Sequence, residues 1–295
     1  MSETDLISHT QLYDRLFEPS ATKNYNLSIR FQPDGLSFSV FNPADKKFLG
    51  LEEVKFPIRT PLRSTILSDN IYVTHCTRFL SNHPWLRLPF NKTNALFTVK
   101  QFTLVPEIIF KEENTTDYLA LVHEILPGDK LYNSLCRWAE ARLIFAVSRT
   151  IMEAANTFFP DARISHHMCA LIETLLPRFK HSSFPSALFL NVRQGFSDIL
   201  AIKNNGLVFV NTFECHSSED SVYFLLFVME QLQANPEQWP VFISGDVMEN
   251  DQLSQLVYRY VRNVHFLDAM ENGKTAFALE GMNKYRFVEL LNPLL

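Results

Sequence analysis

Glycine is scarce in this chain of 295 residues, which contains only 8 of them. Average usage would give more than twice that share. Glycine lets backbone N–H groups approach a phosphate closely, so this scarcity argues against a glycine-rich nucleotide cleft. No apolar run approaches the roughly 20 residues that a membrane-spanning helix needs. The acidic start, MSETDLISHTQLYDRLF, is unlike a secretion signal. We therefore expect a cytoplasmic protein without a membrane span.

The chain also lacks a strong excess of positive or negative charge, and it lacks a cluster of metal ligands. A charged fraction of 20% with a net charge of -5 leaves no broad basic surface, so we expect no nucleic-acid partner. The cysteines lie far apart in the sequence and are predicted to be buried free thiols: Cys76, Cys136, Cys169 and Cys215. His166 and His167 lie near Cys169, but adjacent histidines point to different faces of a strand or helix. We predict no metal site there.

Apolar and aromatic residues are abundant. Hydrophobic residues make up 46% of the chain, and 26 residues are Phe. A chain of this size and composition is typical of a globular protein with one large or two medium domains.

Two groups of alternating segments predict strands joined by hairpins. The first is LSIRFQ, the turn Pro33-Asp34-Gly35, LSFSVFN and KKFLGLEEVKF. The second begins at Ala187 with ALFLNVR, SDILAIK and LVFVNTF, and continues with the helix SSEDSVYFLLFVMEQL and the strand VFIS. Alternation of apolar and polar residues across turn dipeptides is a strong hairpin signal.

The remaining segments complete two similar series of elements. We predict helices at TILSDNIYVTHCTRFL, SRTIMEAANTFF, MCALIETLLPRF and DQLSQLVYRYV. We predict strands at ALFTVKQFTLVP, DYLALVHEI, ARLIFAV and ARISHH, and near Val264. A repeated order of three strands and alternating helices predicts a duplicated α/β protein. The predicted parts are a polar N-terminal lead (1–24), a first lobe (25–183) with an insertion near 84–140, and a second lobe with a C-terminal tail (184–295).

The hairpin order and three motifs carry a resemblance to a known family. The motifs are FTLVPEIIF, NTFECHSSEDSVYFLLFVMEQL and FISGDV. They resemble an uncharacterised Bacteroidetes protein family with an actin-like ATPase fold, over most of the chain from Tyr25 to Phe266. The resemblance implies two ribonuclease-H-like lobes, each a mixed sheet with helices on its faces. The motifs have no known chemical role.

The actin-like superfamily grips nucleotide phosphates with two Asp-x-Gly hairpins, and this chain departs from both patterns. In the first hairpin, Arg30 stands at the Asp position and Gln32 at the Gly position, while Gly35 remains in the turn. In the second hairpin, Asn191 stands at the Asp position. The resemblance thus implies that the first hairpin has lost its metal anchor, and an amide supplies no negative charge in the second.

The tip of the second hairpin and the adenosine turn are also altered. Arg193 and Gln194 replace two of the usual glycines, and only Gly195 is kept. In the adenosine turn Ser244-Gly245-Asp246, an acid replaces the second glycine. A bare carboxylate ~5 Å from a phosphate costs on the order of 1 to 3 kcal/mol at intermediate dielectric. Nucleotide binding is disfavoured at every one of these positions.

These departures favour a non-catalytic module that binds another protein or its own copy, with no cofactor, metal or catalytic residue. One alternative is a divergent ATPase or kinase that binds ATP and Mg²⁺ in the interdomain cleft through Asp34, Asp198 or Asp246. A nuclease is disfavoured, because Arg30 and Asn191 occupy the first-strand positions where it needs acids.

The two arginines leave a further alternative open. If both Arg30 and Arg193 face the cleft, they can form an anion site. If the cleft is inert, each should be exposed or paired with an acid such as Asp34 or Asp198. The helix start Ser217-Ser218-Glu219-Asp220 is typical of a capping box, and its own acids argue against an anion site or phosphorylation site there.

Overall fold

The computed structural model describes residues 8–57, 66–180, 182–269, 274–275, 279, 282–283 and 285–291. The chain divides into two compact units. The first comprises Met1–Ala170, Gly273–Met282 and Leu290–Leu295, and the second comprises Leu171–Asn272 and Asn283–Glu289. The predicted boundary near residue 183 stays a prediction.

The strands described in the first unit form two sheets. They are β1 (Ser8–Tyr13), β2 (Asn26–Gln32), β3 (Gly35–Asn42), β4 (Lys47–Lys55), β5 (Lys92–Phe97), β6 (Phe102–Pro106), β7 (Asp129–Cys136), β8 (Ala141–Ser148) and β9 (Arg163–His166). The larger sheet has the order β1-β4-β3-β2-β5-β9, and a two-residue strand, Lys274–Thr275, also pairs with β4. The smaller sheet has the order β6-β8-β7.

The predicted hairpin strands form the centre of the larger sheet. β2, β3 and β4 pair antiparallel, whereas β5 is parallel to both β2 and β9. Every residue of β2 is buried, so both faces of this strand are covered. The helices of this unit are α1 (Ile66–Ser81), α2 (Thr115–Ala120) and α3 (Arg149–Phe158), and α1 packs against α3. A fourth helix, α4 (His167–Phe179), begins in the first unit and ends in the second.

The described strands of the second unit form one mixed sheet. Its elements are β10 (Ala187–Arg193), β11 (Phe196–Lys203), β12 (Gly206–Glu214), α5 (Ser218–Gln231), β13 (Val241–Gly245), α6 (Gln252–Tyr260) and β14 (Val264–Phe266). The order is β12-β11-β10-β13-β14, with the hairpin strands antiparallel and the last three parallel. Its core joins Leu190 and Ile199 of the sheet to Leu225 of α5 and Val257 of α6.

The predicted mixed α/β fold class is confirmed, but one predicted strand is wrong. The segment DYLALVHEI contains the end of α2 instead of a strand. Its apolar residues Tyr118, Leu119, Leu121 and Val122 follow the three- and four-residue spacing of a helix turn, and Leu119 is fully buried against the smaller sheet.

Two strands lie in segments whose sequence gave no strand signal. β1 lies in the polar N-terminal lead and pairs antiparallel with β4, and β7 lies in the predicted insertion and pairs with β8. The single predicted strand ALFTVKQFTLVP forms β5 and β6, which belong to different sheets. Among the described helices, none is long and apolar enough to cross a membrane.

Candidate functional site

The first hairpin places Arg30 inside the first unit. Arg30 is only 5% exposed, and its register partner on β3 is Ser37. Its Nε donates a hydrogen bond to Ser37 Oγ at 3.1 Å, and its Nη2 lies 3.4 Å from Glu53 Oε1. Gln32 Nε2 donates to the same Glu53 oxygen at 3.4 Å. Arg30 therefore pairs with Glu53, which no sequence pattern singled out.

The acid predicted to pair with Arg30 has another partner. Asp34 forms an ion pair with Lys55, with 3.4 Å between Oδ2 and Nζ. Gly35 follows in the turn, where an added Cβ would lie 1.9 Å from the carbonyl oxygen of Val54. Tyr72 donates its hydroxyl to the Gly35 carbonyl oxygen at 2.9 Å. Close packing of β3 against β4 therefore requires glycine at this position, and no role in ligand binding is needed to explain it.

The second hairpin contains a buried polar network around Asp198, which is fully buried. Arg193 donates two hydrogen bonds to this carboxylate, from Nε to Oδ2 at 2.8 Å and from Nη2 to Oδ1 at 2.7 Å. Asn191 Nδ2 donates to Oδ2 at 2.9 Å, and Thr212 Oγ1 donates to Oδ1 at 2.7 Å. Ser244 Oγ donates to Asn191 Oδ1 at 3.0 Å. Each Asp198 oxygen thus accepts two hydrogen bonds from neighbouring side chains.

The tip of this hairpin is a two-residue turn of Gln194 and Gly195, because Arg193 pairs directly with Phe196. Gln194 is exposed and Gly195 has a φ of +77°. Arg193 turns back toward Asp198, so that its side chain is only 13% exposed. The arginine is therefore part of an intramolecular ion pair with Asp198.

The turn Ser244-Gly245-Asp246 is held by backbone contacts. Gly245 has a φ of +94°, and an added Cβ would lie 2.0 Å from the carbonyl oxygen of Val192. The backbone N–H of Asp246 donates to that same oxygen at 2.8 Å. The Asp246 carboxylate forms an ion pair with Arg286, with 2.7 Å between Oδ1 and Nε. Asp246 thus has a cationic partner in its own unit.

An open depression of about 480 Å³ lies within the second unit. The hairpin end at Arg193, the start of α5 and the start of α6 line it. The lining includes one guanidinium, Arg193, and three carboxylates: Glu219, Asp246 and Asp251. Excess negative charge in the lining opposes a polyphosphate. The depression is therefore chemically unlike a phosphate cradle.

The predicted capping box occupies the start of α5. Ser217 Oγ accepts a hydrogen bond from the Asp220 N–H at 3.1 Å, and Asp220 Oδ2 accepts one from the Ser217 N–H at 3.1 Å. The backbone N–H of His216 also donates to Asp220 Oδ2 at 2.8 Å. Hydrogen bonds from the His216 backbone and from Ser217 outweigh desolvation and lower the pKa of Asp220. The predicted capping role is confirmed.

Another carboxylate, that of Glu52 on β4, is fully buried, and no sequence pattern singled it out. It accepts a hydrogen bond from the Tyr13 hydroxyl at 2.5 Å and contacts His9 Nε2 at 2.8 Å and His83 Nε2 at 3.0 Å. Burial raises its pKa, but hydrogen bonds from His83 and Tyr13 outweigh this, so the pKa lies below its usual value. No local sequence pattern pointed to this cluster; once β1 is paired with β4, the even spacing of His9 and Tyr13 places both side chains on one face.

His166, which lies near Cys169 in the sequence, contacts backbone groups through both ring nitrogens. His166 Nε2 lies 2.9 Å from the Val99 carbonyl oxygen, and its Nδ1 accepts the Met168 N–H at 3.2 Å. No group of three or more potential ligands occurs within the described part of the chain. The four thiols are buried and free, as predicted. However, Cys136 and Cys169, which are distant in sequence, have their sulfur atoms 2.9 Å apart.

Comparisons with known proteins support the fold. Residues 14–264 match the model of a family described as "Protein of unknown function (DUF3822)". Among curated proteins, none matches the chain. The chain is similar to a crystal structure from Bacteroides thetaiotaomicron VPI-5482, which is of a protein with actin-like ATPase fold and unknown function. The TM-score is 0.76 and the sequence identity 22%, and the match covers 85% of this chain and 94% of that chain. The PilM–PilN type IV pilus biogenesis complex is similar with a TM-score of 0.60 and 12% identity, covering 91% and 97%.

Proposed function

This chain belongs to the DUF3822 family and has the actin-like ATPase fold, and on that premise we propose that it is a non-catalytic module for protein interaction or scaffolding. In this proposal it has lost nucleotide chemistry, uses no cofactor and acts in the cytoplasm. Its partner is another protein or a second copy of the chain, and nucleic acid is not a partner.

The observation that carries the proposal is the engagement of Asp198. The hairpin position expected to hold Mg²⁺ is Asn191, which has no charge and donates to Asp198. Asp198 is the nearest carboxylate that could hold Mg²⁺ in place of Asn191, but Arg193 donates hydrogen bonds to both of its oxygens. A metal ion at Asp198 would lie next to a guanidinium and would displace strong charge-assisted hydrogen bonds. The second hairpin therefore favours an internal ion pair over a metal.

The alternative of a divergent ATPase or kinase meets the same obstacle at its other two candidate acids. Asp34 pairs with Lys55, and Asp246 pairs with Arg286. Mg²⁺ prefers carboxylate and water oxygens, so binding at either acid would compete with a cation already present. We therefore favour the non-catalytic proposal over the ATP-dependent one.

The interaction role draws support from exposed apolar side chains in the first unit. Leu121 and Val122 directly follow the last residue of α2, and both are exposed. The hydroxyl of Tyr118, in the last turn of α2, donates to the Ile109 carbonyl oxygen at 2.8 Å, so the exposed Ile109 lies near the end of this helix. Ile108 is 94% exposed and Leu121 is 82% exposed. Exposed apolar patches commonly mark protein interaction sites, and one similar structure is itself a protein complex.

The loss of nucleotide chemistry is tested by melting the protein with millimolar Mg·ATP and by measuring ATP hydrolysis. We expect neither stabilisation nor turnover. A ligand at 100 times its dissociation constant would stabilise by ~2.7 kcal/mol, which a melt detects easily. Saturable stabilisation by Mg·ATP would reject the proposal. A parallel titration with inorganic phosphate tests the anion site: stabilisation that disappears in Arg193→Ala but persists in Arg262→Ala would establish it.

The interaction role is tested with a photo-crosslinking residue at position 108 or 121 in the native host. The control places the same residue at Val208, which is 46% exposed in the second unit. We expect a discrete adduct from 108 and 121 only. An adduct of twice the chain mass would identify self-association, and adducts of equal yield from all three positions would refute a specific surface.

A further inference from the structure

Two buried thiols meet where a strand end contacts a helix start in the first unit. Cys136 is the last residue of β7 and Cys169 lies in the first turn of α4. Cys136 is 0% exposed and Cys169 is 3% exposed. Cys136 Sγ donates to Cys169 Sγ at 2.9 Å, and Cys169 Sγ donates to the Leu135 carbonyl oxygen at 3.8 Å. The thiols thus form a short hydrogen-bonded chain that ends on the backbone.

The other two cysteines have different partners, although their burial is similar. Cys76, 2% exposed, lies beside the Tyr72 hydroxyl, and Cys215, 6% exposed, donates to the Phe213 carbonyl oxygen at 3.7 Å. Cys215 is therefore more exposed than either member of the pair. Greater reactivity of the pair than of Cys215 would therefore not come from greater access.

The geometry of the pair favours a covalent bond. A disulfide has a sulfur separation of about 2.05 Å, so Sγ of Cys136 and Sγ of Cys169 need to approach by about 0.9 Å. The bond would close a loop between residues 33 positions apart.

We infer that Cys136 and Cys169 are a peroxide-sensitive site that forms an intramolecular disulfide. Hydrogen peroxide oxidises one thiol to a sulfenic acid: an S–O bond forms, the O–O bond breaks and water leaves. The second thiol then attacks that sulfur, the S–S bond forms, the S–O bond breaks and a second water leaves. Overall, two thiols and one peroxide become one disulfide and two waters. A resolving thiol in contact captures the sulfenic acid before further oxidation.

Non-reducing peptide mapping of the folded full chain tests this inference. The protein is treated with hydrogen peroxide, quenched with catalase, unfolded and alkylated. We expect a linked peptide pair that contains Cys136 and Cys169, with both thiols lost together and restored by dithiothreitol. Cys76 and Cys215 should remain alkylatable in the same sample and serve as internal controls.

A Cys136→Ser variant adds a second measurement. Without its resolving partner, Cys169 should give no linked peptide and should accumulate sulfinic acid under the same treatment. Equal alkylation of all four cysteines in the wild-type protein would overturn the inference, as would separate over-oxidation of Cys136 and Cys169 or links only between chains. The wild-type map decides the question even if the variant fails to fold.

Discussion

Replacement of Arg193 by alanine should destabilise the second unit strongly. Asp198 is fully buried, and the Arg193 side chain is 13% exposed, so the substitution leaves a buried carboxylate without its cation. Loss of one partner from a buried ion pair costs about 3–5 kcal/mol. Asn191 and Thr212 still donate to Asp198, which favours the lower end of this range. We therefore expect a loss of about 3 kcal/mol in the free energy of unfolding.

The matched control is Arg262→Ala in the same unit. Arg262 pairs with Glu237 at 3.2 Å, but their side chains are 72% and 65% exposed. An exposed pair of this kind contributes about 0–1 kcal/mol. Asp198→Asn in the Arg193→Ala background should restore part of the lost stability, because it removes the uncompensated charge.

Urea denaturation followed by Trp239 fluorescence measures these changes in the second unit. Trp85 and Trp138 are replaced by Phe in every protein compared, so that only the second unit reports. Equal losses for Arg193→Ala and Arg262→Ala would refute the reasoning. So would a double variant with Asp198→Asn that is less stable than Arg193→Ala alone.

Two further predictions concern the buried Glu52 cluster and the glycine turns. Burial lowers the pKa of His83, but hydrogen bonding and charge from Glu52 raise it above its usual 6.5, while the pKa of Glu52 lies below its usual 4.5. The Glu52 contribution is lost as pH falls through its folded pKa, and the His83 contribution is lost as pH rises through its folded pKa. The difference in melting temperature between wild type and Glu52→Gln should therefore be largest between about pH 4.5 and 6.5 and should shrink on both sides. A difference that stays constant with pH would contradict this. Gly195→Ala should lower the free energy of unfolding by about 1–2 kcal/mol, from backbone strain alone. In urea denaturation, Gly245→Ala should lower it further, because its Cβ also clashes with the backbone of Val192. Equal losses for the two variants would show that the turn at Gly245 relaxes.

The hairpin strands were predictable because their pattern is local. Alternation with a period of two, interrupted by a turn dipeptide, specifies both the strands and their direction. The segments LSIRFQ and LSFSVFN accordingly form β2 and β3. The capping box of α5 was predictable for the same reason, since its partners are three residues apart.

The wrong and missed elements depend on surroundings that the local pattern does not contain. DYLALVHEI has both an apolar run and helical spacing, and contact of Leu119 with the smaller sheet decides for the helix. β1 is a polar edge strand, stabilised in part by His9 and Tyr13 reaching Glu52. Nothing within the strand itself reveals that partner.

The sequence by itself determined the α/β class, the family resemblance, and the residues that depart from a nucleotide-binding pattern. These follow from local periodicity and from residue types at motif positions. Only the tertiary structure decided what those residues contact: Arg193 with Asp198, Arg30 with Glu53, and Cys136 with Cys169. The physical reason is that an ion pair or a thiol contact requires two side chains to lie within a few ångströms of each other. Folding brings such side chains together from positions far apart in the chain or on opposite strands of a pair.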